Sequence, residues 1–113
     1  MLGKLQSIIQ AKNVKIRFKW FHGSGFEISE WSSSINFPVE GYIEPEHIGP
    51  IKLNQWIWLE IDPIEIVIVG RLVPNKKIDH QTEITRFFEE NQIAFEKKNE
   101  YIKIENTSFV AET

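Results

Sequence analysis

The chain contains no cysteine. That excludes disulfides, thiolate nucleophiles and cysteine-ligated zinc. Long hydrophobic runs are missing as well. Runs of four such as Ile66 to Val69 are far too short to span a bilayer. The segment from Met1 to Asn13 has neither the apolar stretch nor the small-residue cleavage site of a secretory signal. A cytoplasmic setting is the simplest expectation. Carboxylates are absent from Met1 to His22, where five cations stand: Lys4, Lys12, Lys15, Arg17 and Lys19. From Phe26 to Glu65 the balance reverses, with eight carboxylates and the single cation Lys52. Sorting by sign suggests a field that steers or repels a partner, unless folding pairs the two blocks.

What is present fits one domain over residues 1–113, with a loosely ordered tail after about residue 106. The chain is 42% hydrophobic and 26% charged, enough apolar material for one core without staples. Leu2, Leu5, Ile8 and Ile9 recur at helical spacing, which predicts a helix from Leu2 to Lys12 that stops at Asn13. Val14, Ile16, Phe18 and Trp20 alternate with Lys15, Arg17 and Lys19, a half-buried strand with a basic outer face. Gly23-Ser24-Gly25 supplies a turn. A connection of odd length would return Phe26 and Ile28 to the face of Phe18 and Trp20, leaving Glu27 near Lys19.

Prolines and glycines between Phe37 and Pro50 predict an irregular loop, the kind that often binds partners. Gln55 to Asp62 alternates again, with Ile57, Leu59 and Ile61 opposite Trp56, Trp58 and Glu60. After Pro63, Ile64 to Val73 is rich in β-branched residues. Its centre, Ile66 to Val69, is apolar on both faces and predicts a central strand covered on both sides. Asp79 is an N-cap for a helix from His80 to about Asn91, and Ile93 to Phe95 with Tyr101 to Ile104 predict a closing hairpin. The order predicts an α+β domain: a single mainly antiparallel sheet with two helices packed on one face.

Four groupings invite a chemical reading. Glu60, Asp62 and Glu65 cluster at a strand junction, but paired carboxylates need contrasting environments for acid–base work, and solvated strand ends account for them equally well. Glu44 and His47 offer two metal ligands where a catalytic site needs three, so no metal or cofactor is expected. Phe21-His22-Gly23-Ser24-Gly25 lacks the helix that a phosphate cradle needs behind it, and no G-x-S-x-G occurs. Lys15, Arg17 and Lys19 with Trp20 or Trp31 suit a nucleic-acid platform. Against that stands the charge of the chain beyond His22, eight cations against sixteen carboxylates. The same stripe also suits an ordinary solvated strand face that resists edge aggregation.

The best lead is acidic and aromatic. Trp56 and Trp58, ringed by Glu40, Glu44, Glu46 and Glu60, would give a basic protein partner an anchor and a steering field. Core tryptophans are the competing account. A small, acidic, cysteine-free chain without an enzyme motif resembles the immunity proteins of bacterial toxin systems. The likeness lies in length, acidity and missing catalytic signature, and it transfers no residue. It implies a non-catalytic inhibitor that binds a cognate, basic, nuclease-like toxin domain and blocks its substrate site. The basic amino-terminal block departs from that pattern unless it faces away or pairs internally. A nucleic-acid-binding module is the alternative, and an enzyme the third reading.

Overall fold

Two helix stops set the frame of the molecule. The computed structural model describes residues 2–22, 25–33, 35–36, 42–45, 50–52 and 55–106; Glu40, Glu46, His47 and the tail beyond residue 106 lie outside them. Helix α1 (Leu2–Lys12) buries Leu5 and Ile9. Asn13 ends it in the left-handed region, φ 52. Its N–H donates to the Gln10 carbonyl at 3.4 Å, and that of Val14 donates to the Ile9 carbonyl at 3.3 Å. These are the paired bonds of a Schellman stop, and the apolar pair the motif favours, Ile9 and Val14, is buried.

Strand β1 (Lys15–His22) follows at once. Val14, Ile16, Phe18 and Trp20 point into the core, while Lys15, Arg17 and Lys19 face outward. Strand β2 (Gly25–Ile28) returns antiparallel, but not in the expected register. His22 pairs with Gly25, so only two residues join the strands. An even connection inverts the parity: Glu27 sits opposite Trp20, while Phe26 and Ile28 lie opposite Phe21 and Lys19 on the outer face. Beyond Ile28 the pairing becomes irregular. The Ser29 hydroxyl accepts the Phe18 N–H at 2.8 Å, and Ser32 exchanges backbone bonds with Ile16.

Within the stretch expected to be irregular, Phe37 to Pro50, one strand is described, and two more flank it. β3 (Ile35–Asn36), β4 (Tyr42–Pro45) and β5 (Ile51–Lys52) form a small antiparallel sheet. Ile35, Ile43 and Ile51 are buried, so apolar anchoring overrides the Pro and Gly punctuation there. The main sheet is completed by β6 (Trp56–Asp62), while β7 (Ile64–Val67) and β8 (Lys76–Asp79) pair only as a two-stranded ribbon. Helix α2 (Gln81–Glu90) comes next. The Asp79 carboxylate accepts the Gln81 N–H at 2.9 Å, and a second Schellman stop at Gln92, φ 57, sends Ile93 into the core. The closing hairpin is β9 (Glu96–Lys98) and β10 (Tyr101–Glu105). It starts beyond Ile93 to Phe95 and turns through Asn99, φ 60.

The fold is α+β with antiparallel pairing throughout the described strands, but its strands form three sheets rather than one. The five-stranded sheet runs β2-β1-β6-β10-β9. Its inner residues join Leu5, Ile9, Ile84 and Phe88 of the helices in one apolar cluster. Among the described residues, no helix is long and apolar enough to cross a membrane.

The expected central strand from Ile64 to Val73 does not exist. β7 stops at Val67, and Ile66, Ile68, Val69, Leu72 and Val73 are all more than half exposed. Pro63 ends the run of the main sheet, and the chain leaves it before the apolar segment begins.

Candidate functional site

The acidic-aromatic grouping is broken up by one residue. Lys19 pairs with Trp58 and Trp20 with Trp56, so Ile57 is an extra residue in β6 with no opposite number. Such a bulge inverts the alternation. Trp56 therefore joins Leu59 and Ile61 on the inner face, 2% exposed, with its ring edge-on to Phe18 at 6.0 Å. Trp58 stays outside, half-buried, with the Lys103 Nζ 5.4 Å from its ring centre. The two tryptophans share no face, and Trp56 offers a partner no surface.

Glu60 is also withdrawn. It is 6% exposed, and Arg17 Nε donates to its Oε1 at 2.7 Å. β1 and β6 run antiparallel, so Lys15 meets Asp62 and Arg17 meets Glu60 across the ladder. The sorted charges of the sequence are thus a cross-strand code, and folding cancels part of each block. Arg17 is enclosed further: its guanidinium lies 4.6 Å from the Trp31 ring centre and 5.4 Å from that of Tyr101. These contacts use up the cation and the two rings together. Trp20 is buried. Of the nucleic-acid set, Arg17 and Trp20 are committed to the fold, Trp31 is occupied by Arg17, and Lys15 and Lys19 remain on the outer face. Glu44 lies half-exposed on β4, and Glu40 and Glu46 fall outside the described residues.

The junction carboxylates have structural partners. Asp62 accepts the Ile64 N–H at 3.1 Å. Glu65 Oε1 lies 2.8 Å from His80 Nε2, and Asn13 Nδ2 donates to its other oxygen at 3.1 Å. The His80 ring, and then Asn13, hold the Glu65 carboxyl below its ordinary range. Lys12 bonds Glu83 and lowers that carboxyl in the same way. This cluster ties the end of α1, the start of β7 and the start of α2. A pocket of about 210 Å³ lies among Ala94, Phe95, Glu96, Lys103 and Glu105. It is smaller than ordinary ligand sites, and Lys103 pairs within it with Glu96 at 3.7 Å and Glu105 at 3.5 Å.

The surface that sequence reasoning missed is apolar. Phe21, Phe26 and Ile28 project from one face of an edge hairpin, each at least half exposed. The two phenyl rings are 5.0 Å apart, and Lys19 Nζ stands 5.0 Å from the Phe26 ring centre. Trp58 pairs directly with Lys19 on the next strand. The usable signal was Gly-Ser, a two-residue hairpin pair. With that loop length the same alternation predicts this exposed cluster.

A family model matches residues 4–106, and its description is a family of unknown function, DUF6678. The chain belongs to that family. The DUF6678 match takes in the whole of the five-stranded sheet, the ribbon and α2, so the apolar cluster and the ribbon both lie within the matched region. No curated protein and no solved structure matches the chain.

Proposed function

We propose that this protein is a non-catalytic binding module that takes a protein partner on the outer face of the β1–β2 hairpin. The observation that carries the reading is the exposed trio Phe21, Phe26 and Ile28, with Trp58 beside it. Large apolar side chains clustered on one exposed face are costly in water and typical of interface centres. Lys19 and Lys103 supply a polar rim. The most concrete form is an immunity-type inhibitor, cytoplasmic, which covers the working surface of a cognate toxin domain. Glu44, with Glu40 and Glu46 near it in the chain, contributes carboxylates that steer a basic partner. Trp56 and Glu60 take no part, being internal. Both helices contribute to the same apolar cluster as the inner sheet face. We therefore also infer that they pack on that one face, leaving the other open.

The test is to purify the product of the adjoining gene and titrate it with this protein by calorimetry. A one-to-one complex is expected, weakened at least about tenfold by Phe26→Glu, which is about 1.4 kcal/mol. Circular dichroism of the variant should be unchanged. No complex, or a complex indifferent to both Phe26→Glu and Ile28→Glu, overturns the reading.

A further inference from the structure

The ribbon from Ile64 to Asp79 is an unfinished piece of structure. β7 pairs with β8 alone among the described residues, and its opposite edge has no strand beside it. The segment that follows is apolar yet uncovered. Ile68 is 79% exposed and Leu72 is 98% exposed. Natural edge strands are guarded by charge. β9 obeys, with Glu96, Lys97 and Lys98 all exposed, and β8 obeys with Lys76 and Lys77. β7 does not. From Ile64 through β7 and on to Val69 the chain carries one charge, Glu65, which is engaged by His80 and Asn13. One edge of the ribbon is protected against pairing and the other is built of the residues that pair best.

The charges select the occupant. The base of the ribbon stays net acidic, with Asp62, Glu65 and the exposed Asp79 against Lys15 and Lys12, while Arg71, Lys76 and Lys77 lie toward its tip. Between Ile66 and Lys77 there is no carboxylate. A second ribbon of the same kind, laid antiparallel along the free edge, brings each cationic tip beside the other acidic base. A parallel arrangement would stack like on like. Antiparallel edge pairing is also the geometry that a two-fold axis generates.

We propose that two copies of this chain form a symmetric dimer by antiparallel pairing of β7 with β7 along that edge. Ile66, Val67, Ile68 and Val69 lie nearest the two-fold axis, and the tips point apart. The joined ribbons make a four-stranded sheet, in which the side chains of Ile66 to Val69 of each copy pack beside those of the other. This surface is separate from the β1–β2 face, so the dimer and the partner-binding reading stand or fall independently.

The native chain has no cysteine, which gives a clean test. Sedimentation of the full chain over low to high micromolar concentration should show monomer converting to dimer. Ile68→Lys, at an exposed position, should raise the dimer dissociation constant at least about tenfold without changing the circular dichroism spectrum. Single variants Ile68→Cys and Leu72→Cys should differ under mild oxidation. The first forms an intermolecular disulfide near the axis; the second does so far more slowly, because its symmetry mate is at the other end. A chain that stays monomeric at the highest concentration overturns the proposal. So does equal crosslinking of the two cysteine variants, which means unregistered apolar association. Sedimentation with anionic vesicles or with duplex DNA is the control. Binding to either in place of self-association assigns the cationic tip to that partner and also overturns the dimer.

Discussion

β6 and β7 are separated by Pro63 alone, yet they meet opposite fates. β6 lies between β1 and β10, and its inner residues are sealed in the core. β7 is the more apolar of the two by sequence and has the more exposed surface. Hydrophobicity therefore does not decide which strand becomes central. What distinguishes β6 is that both of its faces have partners in this chain. Its outer carboxylates meet cations of β1, and its inner residues meet those of β1, β10 and the helices. β7 leads into an apolar run that, among the described residues, pairs with β8 alone and stays more than half exposed at Ile66, Ile68 and Val69. A doubly apolar strand is a demand for cover, and that demand need not be met within one molecule.

The comparison is broken most severely in the core. Phe18→Ala should cost about 3–5 kcal/mol in denaturant unfolding, because the phenyl ring is fully buried against Trp56. Ile68→Ala, removing an exposed side chain, should change monomer stability by no more than about 0.5 kcal/mol. Equal losses would mean that the ribbon is packed in solution. An intermediate effect is expected at the charge ladder. Arg17→Ala leaves Glu60 buried without its cation and should cost about 2 kcal/mol, towards the low end because Arg17 keeps some solvent. A double-mutant cycle with Glu60→Gln should show a coupling of about 1 kcal/mol or more. Additive losses would reduce the pair to a surface ornament.

The smallest effect concerns the junction where the two strands part. Glu65 has a lowered pKa when folded, through His80 first and Asn13 second. A lowered carboxylate stabilises the fold above its ordinary pKa, and that contribution is lost as pH falls through the folded value. Stability should therefore drop on acidification below the ordinary carboxylate range, with Glu83 contributing in the same direction through Lys12. Glu65→Gln should flatten that acid slope. An acid limb unchanged in Glu65→Gln would show that the His80 contact contributes nothing to the fold.

Much of this architecture is legible in the residues. The span of α1 follows from Leu5 and Ile9, the inner face of β1 from four alternating apolar residues, and α2 from Ile84 and Phe88, although its cap is His80 and not the expected Asp79. The candidate site is less legible, and for physical reasons that attach to single positions. Ile57 is an ordinary strand residue, and nothing in its identity announces a bulge, yet it moves Trp56 from one face to the other. The parity of one hairpin connection sends Phe26 and Ile28 outward. The strands β3 to β5 arise where Ile35, Ile43 and Ile51 find the core, which no local pattern reveals.

By itself, then, the chain determined its elements, their amphipathic faces and the sorting of its charges, because these depend on neighbours within a few residues. Which face met which was decided only in three dimensions. Register, bulges and strand order depend on contacts between residues tens of positions apart, as with Arg17 and Glu60. Those contacts drew Glu60 into a buried cross-strand pair and left Ile68 and Leu72 exposed.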